Sequence, residues 1–142
     1  MGCDIHLHFE VKINGIWEHW SNPHIDRDYS LFAKMANVRT PDGIKPISEP
    51  KGLPNDLTRA TKFDCKDWEG DGHSYSWFSL DDIVQLAKYV EDVSKEKKIW
   101  YDLEAHILHC YLLGNSFAGI KLYPEDRPEG IDDVRFVFWF DN

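Results

Sequence analysis

A hairpin at the N-terminal end constrains this chain more than any other feature. From Cys3 to Ile13 the residues alternate, with Cys3, Ile5, Leu7, Phe9, Val11 and Ile13 on one face of a strand and Asp4, His6, His8, Glu10 and Lys12 on the other. Asn14-Gly15 follows, and after it Ile16-Trp17-Glu18-His19-Trp20. Asn-Gly between two such runs is a strong hairpin signal, because both central residues of a type I′ turn need positive φ. Residues 3–20 are therefore expected to form an antiparallel hairpin. One of its faces is core, and the other carries two histidines between two carboxylates.

The far end of the chain supplies a strand to lie beside that hairpin. Six of the seven residues from Val134 to Phe140 are apolar and β-prone, the pattern of a central strand covered on much of both faces. Leu31, Phe32 and Met35 share one face of a short helix capped by Asp28 or Ser30. Ser79-Leu80-Asp81-Asp82 opens a helix to about Val93, with Leu80, Ile83, Val84, Ala87 and Val90 along one stripe and Lys95 to Lys98 as a solvated turn after it. Trp100, Leu103, Ile107, Cys110 and Tyr111 predict a further helix ended by Gly114, antiparallel to the one before. Residues 39–78 carry four prolines and three glycines before the Ser-rich loop, with no sustained period. The expected fold is one α+β domain over residues 1–142. A small antiparallel sheet, made of the N-terminal hairpin plus the C-terminal strand, is packed on one face by two or three helices, and the long irregular segment 39–78 wraps the other.

Composition narrows the functions. With 142 residues, 42% of them hydrophobic, the chain can bury a proper core. A net charge of −9 leaves no basic surplus for general nucleic-acid binding. No apolar run approaches membrane-spanning length and no leader pattern opens the chain, so the cytoplasm is the expected location and no membrane partner is expected. Cys3, Cys65 and Cys110 are three widely spaced cysteines without a C-x-x-C pair, which suits a reducing compartment.

Four clusters carry candidate chemistry. Asp4-Ile5-His6-Leu7-His8 contains D-x-H and H-x-H, so alternate side chains face one pocket and Asp4, His6 and His8 are a candidate set for a divalent metal. The context argues against the large metallohydrolase folds that share the pattern, because the chain is short and the strand runs on into a hairpin. The bland reading is a solvated strand face. Asp71-Gly72-His73-Ser74-Tyr75-Ser76-Trp77 offers His73 as general acid or base with hydroxyls to hold an anion, or else a turn whose serines satisfy their own backbone. Asp26-Arg27-Asp28-Tyr29 offers Arg27 for a phosphate or carboxylate, unless it pairs with Asp26 or Asp28. Asp102, His106 and His109 share a helical stripe opposite the apolar face, which reads as solvated surface. His19 and His24 show no pattern.

Five segments, Gly2-Cys3-Asp4-Ile5-His6, Arg27-Asp28-Tyr29-Ser30-Leu31-Phe32, Gly52-Leu53-Pro54 with Asp56, His73-Ser74-Tyr75-Ser76-Trp77 and Val137-Phe138-Trp139-Phe140-Asp141-Asn142, carry a resemblance. In them the chain resembles an uncharacterised family of short bacteriophage and prophage proteins that begin Met-Gly-Cys-Asp-Ile-His. The resemblance implies an accessory protein of the bacterial host cytoplasm, and small phage proteins of this sort often cleave or sequester nucleotide messengers of host defence. With the residues, it leads to an expected small hydrolase, a phosphodiesterase acting on a nucleotide-like, phosphorylated ligand. His6 and His73 are its expected acid and base, Asp4 or His8 orients one of them or holds a metal, and Arg27, Ser74 and Ser76 hold the anion. The alternatives are an oligomeric, non-catalytic sponge in which Tyr29, Tyr75, Trp77 and Trp139 stack on bases, and an acidic protein that docks on a host protein.

Overall fold

The structure, a computed structural model, describes residues 2–25, 27–41, 43–97 and 131–142. The helix expected over 100–114, with Asp102, His106, His109 and Cys110, lies outside the described residues, as does Asp26. The elements are β1 (Asp4–Ile13), β2 (Ile16–Ser21), α1 (Tyr29–Ala36), α2 (Arg59–Asp67), β3 (Gly72–Phe78), α3 (Leu80–Lys97) and β4 (Ile131–Asp141). The strands form one antiparallel sheet in the order β2-β1-β4-β3. The arrangement is α+β, as the residue patterns predict.

The hairpin turns where expected: Asn14 and Gly15 have φ of 50° and 84°, and Ile13 faces Ile16 across the turn. Its apolar row, Cys3 to Val11, meets Val134, Phe136, Phe138 and Phe140 of β4 and Phe78 of β3. Leu31, Phe32 and Met35 of α1 and Ile83, Leu86, Ala87 and Val90 of α3 cover that face. Asp28 caps α1 by accepting the Leu31 N–H at 3.1 Å. At α3 the Ser79 hydroxyl accepts the Asp82 N–H while Asp82 accepts the Ser79 N–H, a reciprocal capping box. This helix runs on to Lys97, so Lys95 and its neighbours are helical rather than a turn, with no Gly or Pro there to stop them.

The segment 39–78 is tied down at Ile47, which donates to the Lys34 carbonyl, and at Gly52, which donates to that of Tyr75. It also contributes two regular elements. Helix α2 lies over the polar face of the sheet, and β3 pairs with β4 at the edge. The inward stripe of α2 is Thr61, Asp64, Cys65 and Trp68, at i, i+3, i+4 and i+7. It is polar because the face beneath it is polar, so no hydrophobic period marks it. Strand β3 hides behind a bulge between His73 and Ser76, where Ser74 has φ of 55°. Among the described residues no helix is long and apolar enough to cross a membrane.

Candidate functional site

With its apolar face in the core, β1 turns Asp4, His6, His8, Glu10 and Lys12 toward α2, opposite Asp141, Trp139, Val137, Arg135 and Asp133 of β4. The row divides into an anchoring end and a histidine end. At the anchoring end Glu10 is wholly buried. It accepts hydrogen bonds from the Thr58 N–H and the hydroxyls of Thr58 and Thr61, and from Arg135 Nε at 2.8 Å. Burial pushes its carboxyl up, yet the bonds from Thr58, Thr61 and Arg135 outweigh it and hold Glu10 below the usual carboxylate range. Arg135 also donates to Asp56 at 2.8 Å and stacks on Trp17, with its guanidinium 4.0 Å from the ring centre. This network clamps the start of α2 to the sheet.

At the histidine end, His8 is nearly buried and uses both ring nitrogens. Nε2 meets Asp64 at 2.7 Å and Nδ1 meets His19 Nε2 at 2.9 Å. With both rings neutral the protons are determined: Asp64 can only accept, so His8 carries its proton on Nε2, and His8 Nδ1 must then accept from His19 Nε2–H. His19 is left with its lone pair on Nδ1. Burial, and then the neighbouring His8, lower its pKa, against the opposing charges of Glu10 and Asp64. His6 donates through Nε2 to Asp141 Oδ2 at 2.7 Å, and its ring packs on Trp68 at 4.1 Å and on Trp139 at 6.0 Å.

A cleft opens beside these groups for a topological reason. Strand β2 pairs only with Phe9–Ile13, with a register irregularity at Phe9 and Glu10, so the edge of β1 over residues 5–8 faces the segment 22–24 instead of a strand. The cleft there measures about 200 Å³ and is lined by His6, His8, Asn22, His24 and Asp64, among others. Three imidazoles and a carboxylate in one small cleft can move protons.

The structure gathers only part of the expected site. His6 and His8 share the cleft, but His73 does not: it pairs with Phe140, whose ring packs against Phe32 on the opposite face of the sheet. The acid–base pair of His6 with His73 is therefore corrected, because the parity of the β3 register turns His73 away. His73 bonds Ser74 and Asn142 instead. Arg27 holds Asp4 in a two-pronged pair at 3.1 and 3.0 Å, so its fork is engaged, and Asp4 in turn is kept below the usual carboxylate range chiefly by that hydrogen bond. Tyr29 accepts the Cys3 N–H, Tyr75 packs on Trp139, buried Ser76 accepts the Lys51 N–H, and Trp77 lies under the Lys51 ammonium. These residues hold the fold together and do not line the cleft. Asp4, His6 and His8 do not converge as metal ligands, since each is turned to its own partner, and among the described residues no group of three or more His, Cys, Asp or Glu side chains is placed to hold an ion.

Sequence reasoning missed Asp64, Trp68, His19 and His24. For His19 a signal existed: counting back from the Asn14-Gly15 turn sets it opposite Glu10. Asp64 and Trp68 carry no such signal, because nothing in their spacing says what α2 covers.

Fold and site together define a small α+β domain with a histidine-lined cleft on the polar face of its sheet. No family model matches the chain, nor does any curated protein or solved structure.

Proposed function

We propose that this chain is a small hydrolase, a phosphodiesterase that cleaves a nucleotide-like signalling molecule by acid–base chemistry in the cleft of His6, His8 and His24. The observation that carries the reading is a repeated arrangement. On alternate residues of one strand, His6 and His8 each meet a carboxylate at 2.7 Å, and both line the same cleft. An imidazole fixed by a carboxylate is oriented and its basic nitrogen defined. Asp141 takes Nε2 of His6, so Nδ1 withdraws a proton from water as the water oxygen bonds to phosphorus. The ester P–O bond breaks, and the leaving oxygen takes a proton from His24. Asn22 donates its amide to a non-bridging oxygen. His8, with both nitrogens engaged, holds Asp64 and His19 in place.

The resemblance to short phage and prophage proteins supports a role in the bacterial host cytoplasm, against nucleotide messengers of host defence. The sequestering reading draws no stacking surface from Trp139, which is fully buried, or from Trp77 and Tyr29, over whose rings Lys51 and Arg39 lie. The test is mass spectrometry of a panel of cyclic nucleotides incubated with the protein, with and without EDTA, and with His6→Ala. Hydrolysis products that persist in EDTA and vanish with His6→Ala are expected. Unchanged ligand retained by the protein would overturn hydrolysis in favour of sequestration, and neither product nor retention would overturn both.

A further inference from the structure

On the far side of His8 a second depression runs between β2 and α2, with a volume of about 720 Å³. Trp17, Glu18 and His19 line it from the strand and Arg59 and Phe63 from the helix. We propose that this groove binds a planar heterocycle bearing a ring N–H and one attached anionic group, of the kind a uracil nucleotide presents. The proposal does not depend on the hydrolase reading.

Each wall contributes a distinct part of that specificity. The volume lies within the range of small-molecule pockets, which are apolar with a few fixed polar groups. Phe63 leaves 73% of its surface in water at the groove edge, a large apolar ring available for stacking. Trp17 is held rigid by Arg135 stacked upon it, so it offers a fixed wall. His19 supplies the polar discriminator. With both rings neutral, the Asp64–His8–His19 chain consumes its Nε2–H, and the remaining Nδ1 lone pair accepts a hydrogen bond. A ligand ring must therefore bring an N–H, and an alkylated ring nitrogen leaves that acceptor unpaired. Arg59 lies one helical turn before Phe63 on the same face of α2, and among the described residues no ion pair engages it. Its guanidinium takes the anion.

Isothermal titration of the full chain with uridine monophosphate, and with the analogue methylated on the imide nitrogen, tests this. Saturable binding is expected, weakened about tenfold or more by the methyl group and by Phe63→Ala or Arg59→Ala, and unchanged by Lys66→Ala elsewhere on α2. Phe63, Arg59 and Lys66 are all exposed, so circular dichroism should show the fold intact in each variant. No saturable binding by the wild-type chain overturns the proposal. So does binding that is indifferent either to the methyl group or to Phe63→Ala.

Discussion

Asp141 Oδ2 sits 2.7 Å from His6 Nε2, although the two residues are 135 positions apart in the chain. The contact is diagonal, since His6 stands opposite Trp139 and Asp141 opposite Asp4, and diagonal neighbours on one face of an antiparallel pair are within side-chain reach. The carboxylate fixes the tautomer that leaves the lone pair on Nδ1 of His6, the base of the proposed hydrolysis. Asp141→Asn keeps the shape, but its amide can turn to donate and so favour the other tautomer. Hydrolysis is expected to fall on the order of 10²-fold or more with little change in thermal midpoint, read as kcat/KM beside a melting curve.

The Glu10–Arg135 pair predicts a large asymmetry between single and double variants. Arg135→Ala leaves Glu10 charged and buried, at a cost of about 3–5 kcal/mol, whereas replacing both residues with apolar side chains of similar volume costs far less. Urea unfolding of the three proteins measures the difference. Equal losses in the single and double variants would mean that the pair is not what holds α2 down.

The same carboxylate sets an acid limb. A folded-state pKa below the ordinary 4.5 means that folded Glu10 binds fewer protons than unfolded Glu10. Its stabilisation is therefore fully present above that value and is lost as pH falls through the lowered one. Glu10→Gln is expected to unfold more easily near neutrality and to show a shallower decline in acid, by urea midpoints between about pH 3 and pH 7.

Arg27 gives a prediction of little effect. Its pair with Asp4 is half-exposed on both sides, and exposed pairs contribute little. Arg27→Ala should leave both the melting curve and KM for the substrate unchanged, whereas a raised KM would return Arg27 to the site. Gly2→Ala should act on the same pair, because the guanidinium of Arg27 lies where the added methyl would go.

Much of this architecture was legible because its signals are local. Alternation in β1, the Asn14-Gly15 turn, the caps at Asp28 and Ser79 and the apolar run of β4 each declare an element within a few residues. The polar face of β1 was legible too, as was the closing strand beside the hairpin. What covers that face was not. Thr61, Asp64 and Trp68 make a helix stripe that faces a polar sheet, and such a stripe looks like surface until the partner is known. His73 misled for a related reason: one extra residue in β3 inverts the face on which it lands, and Ser74 gives no sign of the bulge.

Strand β4 lies between β1 and β3, so the sheet has no centre until residues 131–141 have been synthesised. A growing chain can form the hairpin and α1, but His6 then has neither Asp141 nor Trp139 beside it. Closing a loop of this length before any contact rewards it makes for slow folding. The orientation of His6 therefore arises late, when β4 inserts. A ribosome-bound chain short of residue 141 lacks the carboxylate that holds His6, and an internal break that frees β4 removes the strand between β1 and β3 and that carboxylate together.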